Sequence, residues 1–245
     1  MSVFRKTLLT VLLMVTGLHA QEGGDIQAQI LYAYHTEDTN NLTNLIQEMS
    51  AKLRDADDDA LRYHLAHAQY RFGELSAGAS HGAESAYSEC IDDLTPLLKK
   101  DVKSAEALIL QGACYDELAD LSLLQAVLLR TRGADRLAAA AKLEPRNPRL
   151  LLIEACEGLK HSKPESERHQ RALAQLNMAV QAFDDSSATR TDAPGWGHAE
   201  AFLTMGRELL AHGDSVGARN WIEKSLIAAP DYKAAQRQLA LLVKH

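Results

Sequence analysis

The sequence predicts an all-α protein, and three observations carry that prediction. From Gln21 onward, apolar residues recur at the three- and four-residue spacing of amphipathic helices. No run of alternating β-branched residues long enough to make a strand interrupts them. Residues that end or open helices punctuate the pattern at short intervals, in Glu144-Pro145-Arg146-Asn147-Pro148, Lys163-Pro164, Gly213-Asp214 and Pro230-Asp231.

The elements follow in order. Residues 1–20 read as a cleavable export signal. Arg5 and Lys6 precede an apolar run from Thr7 to Gly17, and Leu18-His19-Ala20 offers a small-residue cleavage site before Gln21. That run is well short of the roughly 20 residues a membrane-spanning helix needs. The mature chain, 21–245, is therefore expected to be one soluble periplasmic domain with no stable membrane insertion. Helices are predicted over 25–36, 40–54, 57–74, 82–100, 104–120, 122–143, 148–160, 165–184, 196–212, 215–229 and 232–243. Pro145 stops the sixth, Pro148 opens the seventh, and Pro164 precedes the eighth. The segment 184–197, with Asp-Asp-Ser-Ser, Thr-Arg-Thr-Asp and Pro-Gly, reads as the one longer loop. In the last helix Gln236, Arg237 and Gln238 oppose Leu239 and Leu242, as in a cap that shields a repeat array.

Residues 199–232 carry a repeat. Phe202, Met205, Gly206 and Leu209 lie in its first helix, Gly213-Asp214 in the turn, Ala218, Ile222 and Leu226 in its second helix, and Pro230 at its end. Gly206 and Ala218 let two antiparallel helices approach closely while the larger residues fill the seam. Pro230 follows Gly206 at the offset that a unit of roughly 34 residues requires. The pattern resembles a tetratricopeptide repeat (TPR). A looser match starts at Ala105-Glu106-Ala107-Leu108, with Gly112 and Tyr115, and ends at Pro145. Its greater length predicts longer helices or an inserted turn around Leu121 to Arg132. Weaker echoes are Tyr63, Ala66, His67 and Tyr70, then Leu151, Ala155 and Gly158. The resemblance spans most of 57–243 and looks like the exported TPR proteins of bacteria. It implies an antiparallel helix-hairpin solenoid, a right-handed superhelix of about four to five helix pairs capped by 233–243. Its concave groove would be lined by the first helix of each pair.

Composition and charge narrow the function. With 46% apolar and 24% charged residues, 14 Gly, 6 Pro and 3 Cys, the chain is neither disordered, collagen-like nor a disulfide-dense mini-protein. Its formal charge of −7 is the wrong sign for gripping nucleic-acid phosphates. There is no His-Glu-x-x-His, no Gly-x-Ser-x-Gly, no Walker loop and no dinucleotide-type glycine cluster. His64 and His67 share a helical face without a third ligand at metal spacing. No catalytic residue, cofactor or metal is therefore expected. The register places Glu106, Ile109 and Asp116, then Arg149 and Leu152, then Glu200, Leu203 and Arg207 in the groove. Relatives that clamp a terminal carboxylate use Lys, Asn and Arg there, and this chain departs from that pattern, with Arg149 and Arg207 alone positive. The expected partner is a protein or extended peptide of the cell envelope. One alternative is a small-molecule-binding accessory of a periplasmic transport or envelope-assembly system, its ligand in a closed apolar pocket near Leu121 to Arg132. Another is a hydrolase whose titratable groups converge from different helices.

Cys90 and Cys114 stand on either side of the turn near Val102, which brings them level in an antiparallel hairpin. A disulfide and two buried thiols are both open readings. Cys156 reads as packing, Trp196 as a cap on the seam of the preceding hairpin, and Trp221 as core or back-face packing.

Overall fold

A computed structural model describes residues 25–76, 80–187 and 194–243. The expected export signal, its cleavage site and the centre of the 184–197 loop lie outside the described residues. Among those residues there are helices and no strand: α1 (25–35), α2 (Thr39–Asp55), α3 (Asp59–Leu75), α4 (Ser80–Lys100), α5 (Ala105–Leu121), α6 (Ala126–Leu143), α7 (Pro148–Lys160), α8 (Glu167–Ser187), α9 (His198–Ala211), α10 (Ser215–Ala228) and α11 (Lys233–Val243).

Short polar side chains start several of these helices. Asp38, Asp58, Asn147 and Asp214 each accept a hydrogen bond from a backbone N–H of the first turn. Such a cap stabilises its helix by about 1 kcal/mol. The pairs α3–α4, α5–α6, α7–α8 and α9–α10 pack as hairpins, and α11 covers α10. The α5–α6 pair has both features that its length predicted. Its helices are 17 and 18 residues against 14 and 14 in α9–α10, and a turn at 122–125 delays α6 to Ala126. A Cβ on Gly206 would lie 2.7 Å from Ile222 and 3.1 Å from the Ala218 carbonyl, so the two helices could not close as they do with any larger residue there.

The core runs along the hairpin seams. One cluster joins α3 to α7 through Tyr70, Tyr87, Leu94, Leu110, Leu150 and Trp196, and a second joins α7 to α9 through Leu152, Leu176, Phe183 and Met205. Gln111, an apolar position in the repeat pattern, is fully buried and donates to the Ile91 carbonyl and the Thr95 hydroxyl of α4. Cys90 of α4 and Cys114 of α5, both wholly buried, are joined by a disulfide with 6.5 Å between Cα atoms. Cys156 is a free thiol.

The first helix closes the array. Ile30 and Ala33 of α1 pack with Leu42, Leu45 and Leu65 of α2 and α3, while Tyr34 packs with Ala199, Leu203 and Tyr232 at the other end of the chain. Glu37, just after α1, takes two hydrogen bonds from Arg237 of α11, one at 2.7 Å. The solenoid is thus clasped across its concave side.

Candidate functional site

The inner face is built by α3, α5, α7 and α9, the first helix of each pair, as the repeat register predicts. Together with Tyr34 and Tyr232 they enclose a cavity of ≈ 200 Å³. Around it stand Glu74, Asp116, Glu117, Glu157 and Glu200 against Arg71, Lys160 and Arg207.

Arg71 organises one wall. It is 2% exposed and each face of its hydrogen-bonding fork is used. It donates at 2.7 Å to Glu74, at 2.7 Å to Glu200 and, through Nε, at 3.1 Å to His67 Nε2. Its guanidinium carbon lies 4.3, 5.4 and 5.2 Å from the ring centres of Tyr34, Tyr70 and Trp196. Arginine's weak hydration and delocalised charge suit such an aromatic enclosure.

Two carboxylates on one guanidinium leave a surplus negative charge, and the pair divides it unequally. Burial pushes the Glu74 carboxyl up to about 7 against the pull of Arg71. Burial acts on Glu200 as well, but Arg71 and His35 hold it down at about 2. Glu200 also accepts from the Gly197 N–H at 3.0 Å, which fixes the start of α9. Gly197 has φ +105°, a conformation that glycine adopts without strain. His67 is fully buried and accepts from Arg71, and burial and that cation hold it well below the usual imidazole range. It is a neutral acceptor, and its Nε2 is not free for a metal.

The opposite wall carries the group that is not engaged. Asp116 is 7% exposed, and among the described residues it has neither a hydrogen bond nor an ion pair. Burial, then the Glu157 and Glu117 carboxylates, push it up to about 7. Its acidic neighbours are satisfied: Lys160 pairs with Glu117 at 3.0 Å and with Asp120, and Arg130 bridges Asp120 at 2.6 Å and Glu157 at 3.3 Å. Arg207 is exposed beside the cavity and has no ion pair among the described residues.

The eight residues assigned to the groove from sequence divide three ways. Asp116, Leu152, Glu200, Leu203 and Arg207 line the cavity together, although Leu152 and Leu203 are nearly fully buried. Ile109 is 0% exposed and belongs to the core. Glu106 and Arg149 form a two-bonded pair at 2.6 and 2.7 Å, further tied by Asn147 and the Pro194 carbonyl, and are spent on joining α5 to α7. Arg71 and Glu74 were missed. Extending the same register to 57–74 sets His67, Arg71 and Glu74 at i, i+4 and i+7, on one helical face.

Trp196 packs further afield than the preceding hairpin. It is buried against α3, stacked on His67 at 5.5 Å, with its indole N–H donating to the Tyr63 hydroxyl. Trp221 packs partly buried against Phe202. Around Leu121 to Arg132 the closed apolar pocket of the small-molecule alternative does not form. Leu123 and Leu124 stand 99% and 98% exposed, and the hollow beside them is edged by Glu84, Ser85, Ser88 and Glu89.

The fold has a counterpart among solved structures. A thermophilic TPR protein of Thermus thermophilus superposes with a TM-score of 0.61 at 16% identity, covering 92% of this chain and 100% of that one. The chain is therefore an all-α, TPR-like helix-hairpin solenoid. No family model and no curated protein matches the sequence.

Proposed function

We propose that this protein is a non-catalytic interaction scaffold that binds a protein or extended peptide segment on its inner face and receives one basic side chain of it against Asp116. A TPR-like fold supports a protein-interaction role in general. The observation that carries the finer reading is the unengaged Asp116 carboxyl in a wall whose other acids are already paired. At ≈ 200 Å³ the cavity is smaller than the roughly 300 Å³ at which pockets begin to bury a whole small molecule. It has room for one long side chain. Converging titratable groups are also what a hydrolase would hold. Here the His67 imidazole is consumed by Arg71, and burial pushes the Cys156 thiol up to about 12, so neither serves as a ready base or nucleophile, which supports the non-catalytic reading.

Export to the periplasm is part of the proposal. The buried Cys90–Cys114 disulfide supports it, since such bonds persist in oxidising compartments. Protein recovered from its own cell envelope should begin at Gln21.

The binding test is an array of extended peptides with Lys, Arg, Ala or Glu at each position. Basic peptides should be retained. Asp116→Asn should abolish the preference, and Arg207→Glu should strengthen it by removing a competing cation. Equal retention of Lys and Glu peptides, or a preference unchanged by Asp116→Asn, would refute the reading. Alanine at Arg149, Leu152 or Leu203 makes a poor test, because all three are buried and their loss would disturb the fold itself.

A further inference from the structure

A second site lies away from that cavity, where the start of α8 meets the end of α9. His169 of α8, Glu208 of α9 and His212, which ends α9, bring three potential metal-ligand atoms within 4.8 Å of one another. Each is held differently. His169 is 5% exposed, Glu208 is partly buried and His212 is exposed.

Hydrogen bonding fixes which ring nitrogens are available. His212 Nδ1 lies 2.8 Å from the Glu208 backbone carbonyl. A carbonyl only accepts, so Nδ1 carries the proton and Nε2 keeps its lone pair. At His169 the tautomer turns on the Ser162 hydroxyl, which lies 3.3 Å from the Leu159 carbonyl and 3.2 Å from His169 Nδ1. With the serine proton on the carbonyl, the hydroxyl accepts from Nδ1 and His169 presents a bare Nε2 inward. That nitrogen is buried and has no hydrogen-bond partner among the described residues, although Glu208 Oε2 is 3.3 Å away.

In that tautomer the buried imidazole lone pair and the Glu208 carboxylate oxygen are two acceptors 3.3 Å apart, a place for a cation between them, whereas a proton on Nε2 makes the same contact a His–Glu pair. The separation fits a particular kind of cation. Tetrahedral zinc holds nitrogen and oxygen ligands at about 2.0–2.1 Å, which sets neighbouring ligand atoms about 3.3 Å apart. The Nδ1 contacts with the Glu208 carbonyl and the Ser162 hydroxyl are of the outer kind that orients metal-binding imidazoles.

We infer that His169 Nε2, the Glu208 carboxylate and His212 Nε2 form a binding site for one divalent ion of the zinc type, with its fourth position open on the exposed His212 side. The ion would staple α8 to the end of α9, and so one hairpin to the next. The open position would take water or a donor atom from a bound partner. This site shares no residue with the inner-face cavity, so the two proposals stand or fall separately.

The test is zinc titration of the chain, prepared without a polyhistidine tag, against a competing chromophoric chelator, with thermal melts run alongside. One equivalent should bind tightly and raise the melting temperature. His212→Gln and Glu208→Gln should each weaken binding at least about 100-fold and remove the melting shift, and Ser162→Ala should weaken it about tenfold. His64→Gln should change nothing. His212 is exposed, so its variant folds even if a change at buried His169 does not. Absence of a tight equivalent in the parent, or its survival in His212→Gln and Glu208→Gln, overturns the inference and leaves only adventitious binding by scattered histidines.

Discussion

Removing the bond between Cys90 and Cys114 tests how the α4–α5 hairpin is held. The two residues are 24 positions apart, so the bridge closes a loop of about 25 residues in the unfolded chain. Loop-closure entropy of that size corresponds to about 3.5 kcal/mol at room temperature. Replacing both residues with Ala also removes two buried sulfur atoms from a filled core, which adds about 1 kcal/mol of lost packing. For a chain of this length, 3.5 kcal/mol alone corresponds to a fall in melting temperature of roughly 7–14 °C. The assay is far-UV circular dichroism on heating, for parent and Cys90→Ala/Cys114→Ala, together with a thiol count on denatured protein. The parent should show one reactive thiol, Cys156, before reduction and three after it. Three thiols before reduction, or a loss of stability below about 1 kcal/mol in the double variant, would refute the reasoning.

Two further outcomes follow from the inner face. Arg71→Met should destabilise the fold by about 3–5 kcal/mol, because it strands Glu200 as a buried charge and leaves His67 unpaired. Adding Glu200→Gln to it should recover part of that loss, and a denaturation midpoint no higher for the double variant would sink the account. The acids fix the pH dependence: Asp116 and Glu74 hold protons in the folded state that the unfolded chain releases near 3.8 and 4.5. Stability should therefore fall as pH rises from about 4 to about 7. Glu200 acts oppositely, stabilising above pH 4.5 and losing that contribution as pH falls toward 2. Asp116→Asn should reduce the stability lost between about pH 4 and 7 by about 1–2 kcal/mol, after allowing for solvent beside the carboxyl. An unchanged slope would show that Asp116 is ionised throughout.

Local chemistry was legible in the sequence and distant meetings were not. Periodicity and helix-stopping residues placed each described helix, because those signals act within a few residues. Where a boundary shifted, as at α6, a turn at 122–125 outweighed the apolar run that extended the pattern backward. The register named the inner face from Gly206 and Gly112, yet it could not tell lining from core. Ile109 shares its helix with Asp116 but is wholly buried in the core, and Arg149 is bonded to Glu106, 43 residues away. Arg71 meets Glu200 across 129 residues and His169 meets Glu208 from another helix, and no repeat or motif encodes either pairing.

The bridge from Glu37 to Arg237, with Tyr34 against Tyr232, changes the mechanics of the array. A linear stack of hairpins behaves as a spring whose end units have one neighbour each and fray first. Here the last hairpin gains a second neighbour in α1, which also packs on α2 and α3, so the two ends of the stack are tied together. A stack held at both ends resists lengthening in a way that an open one does not.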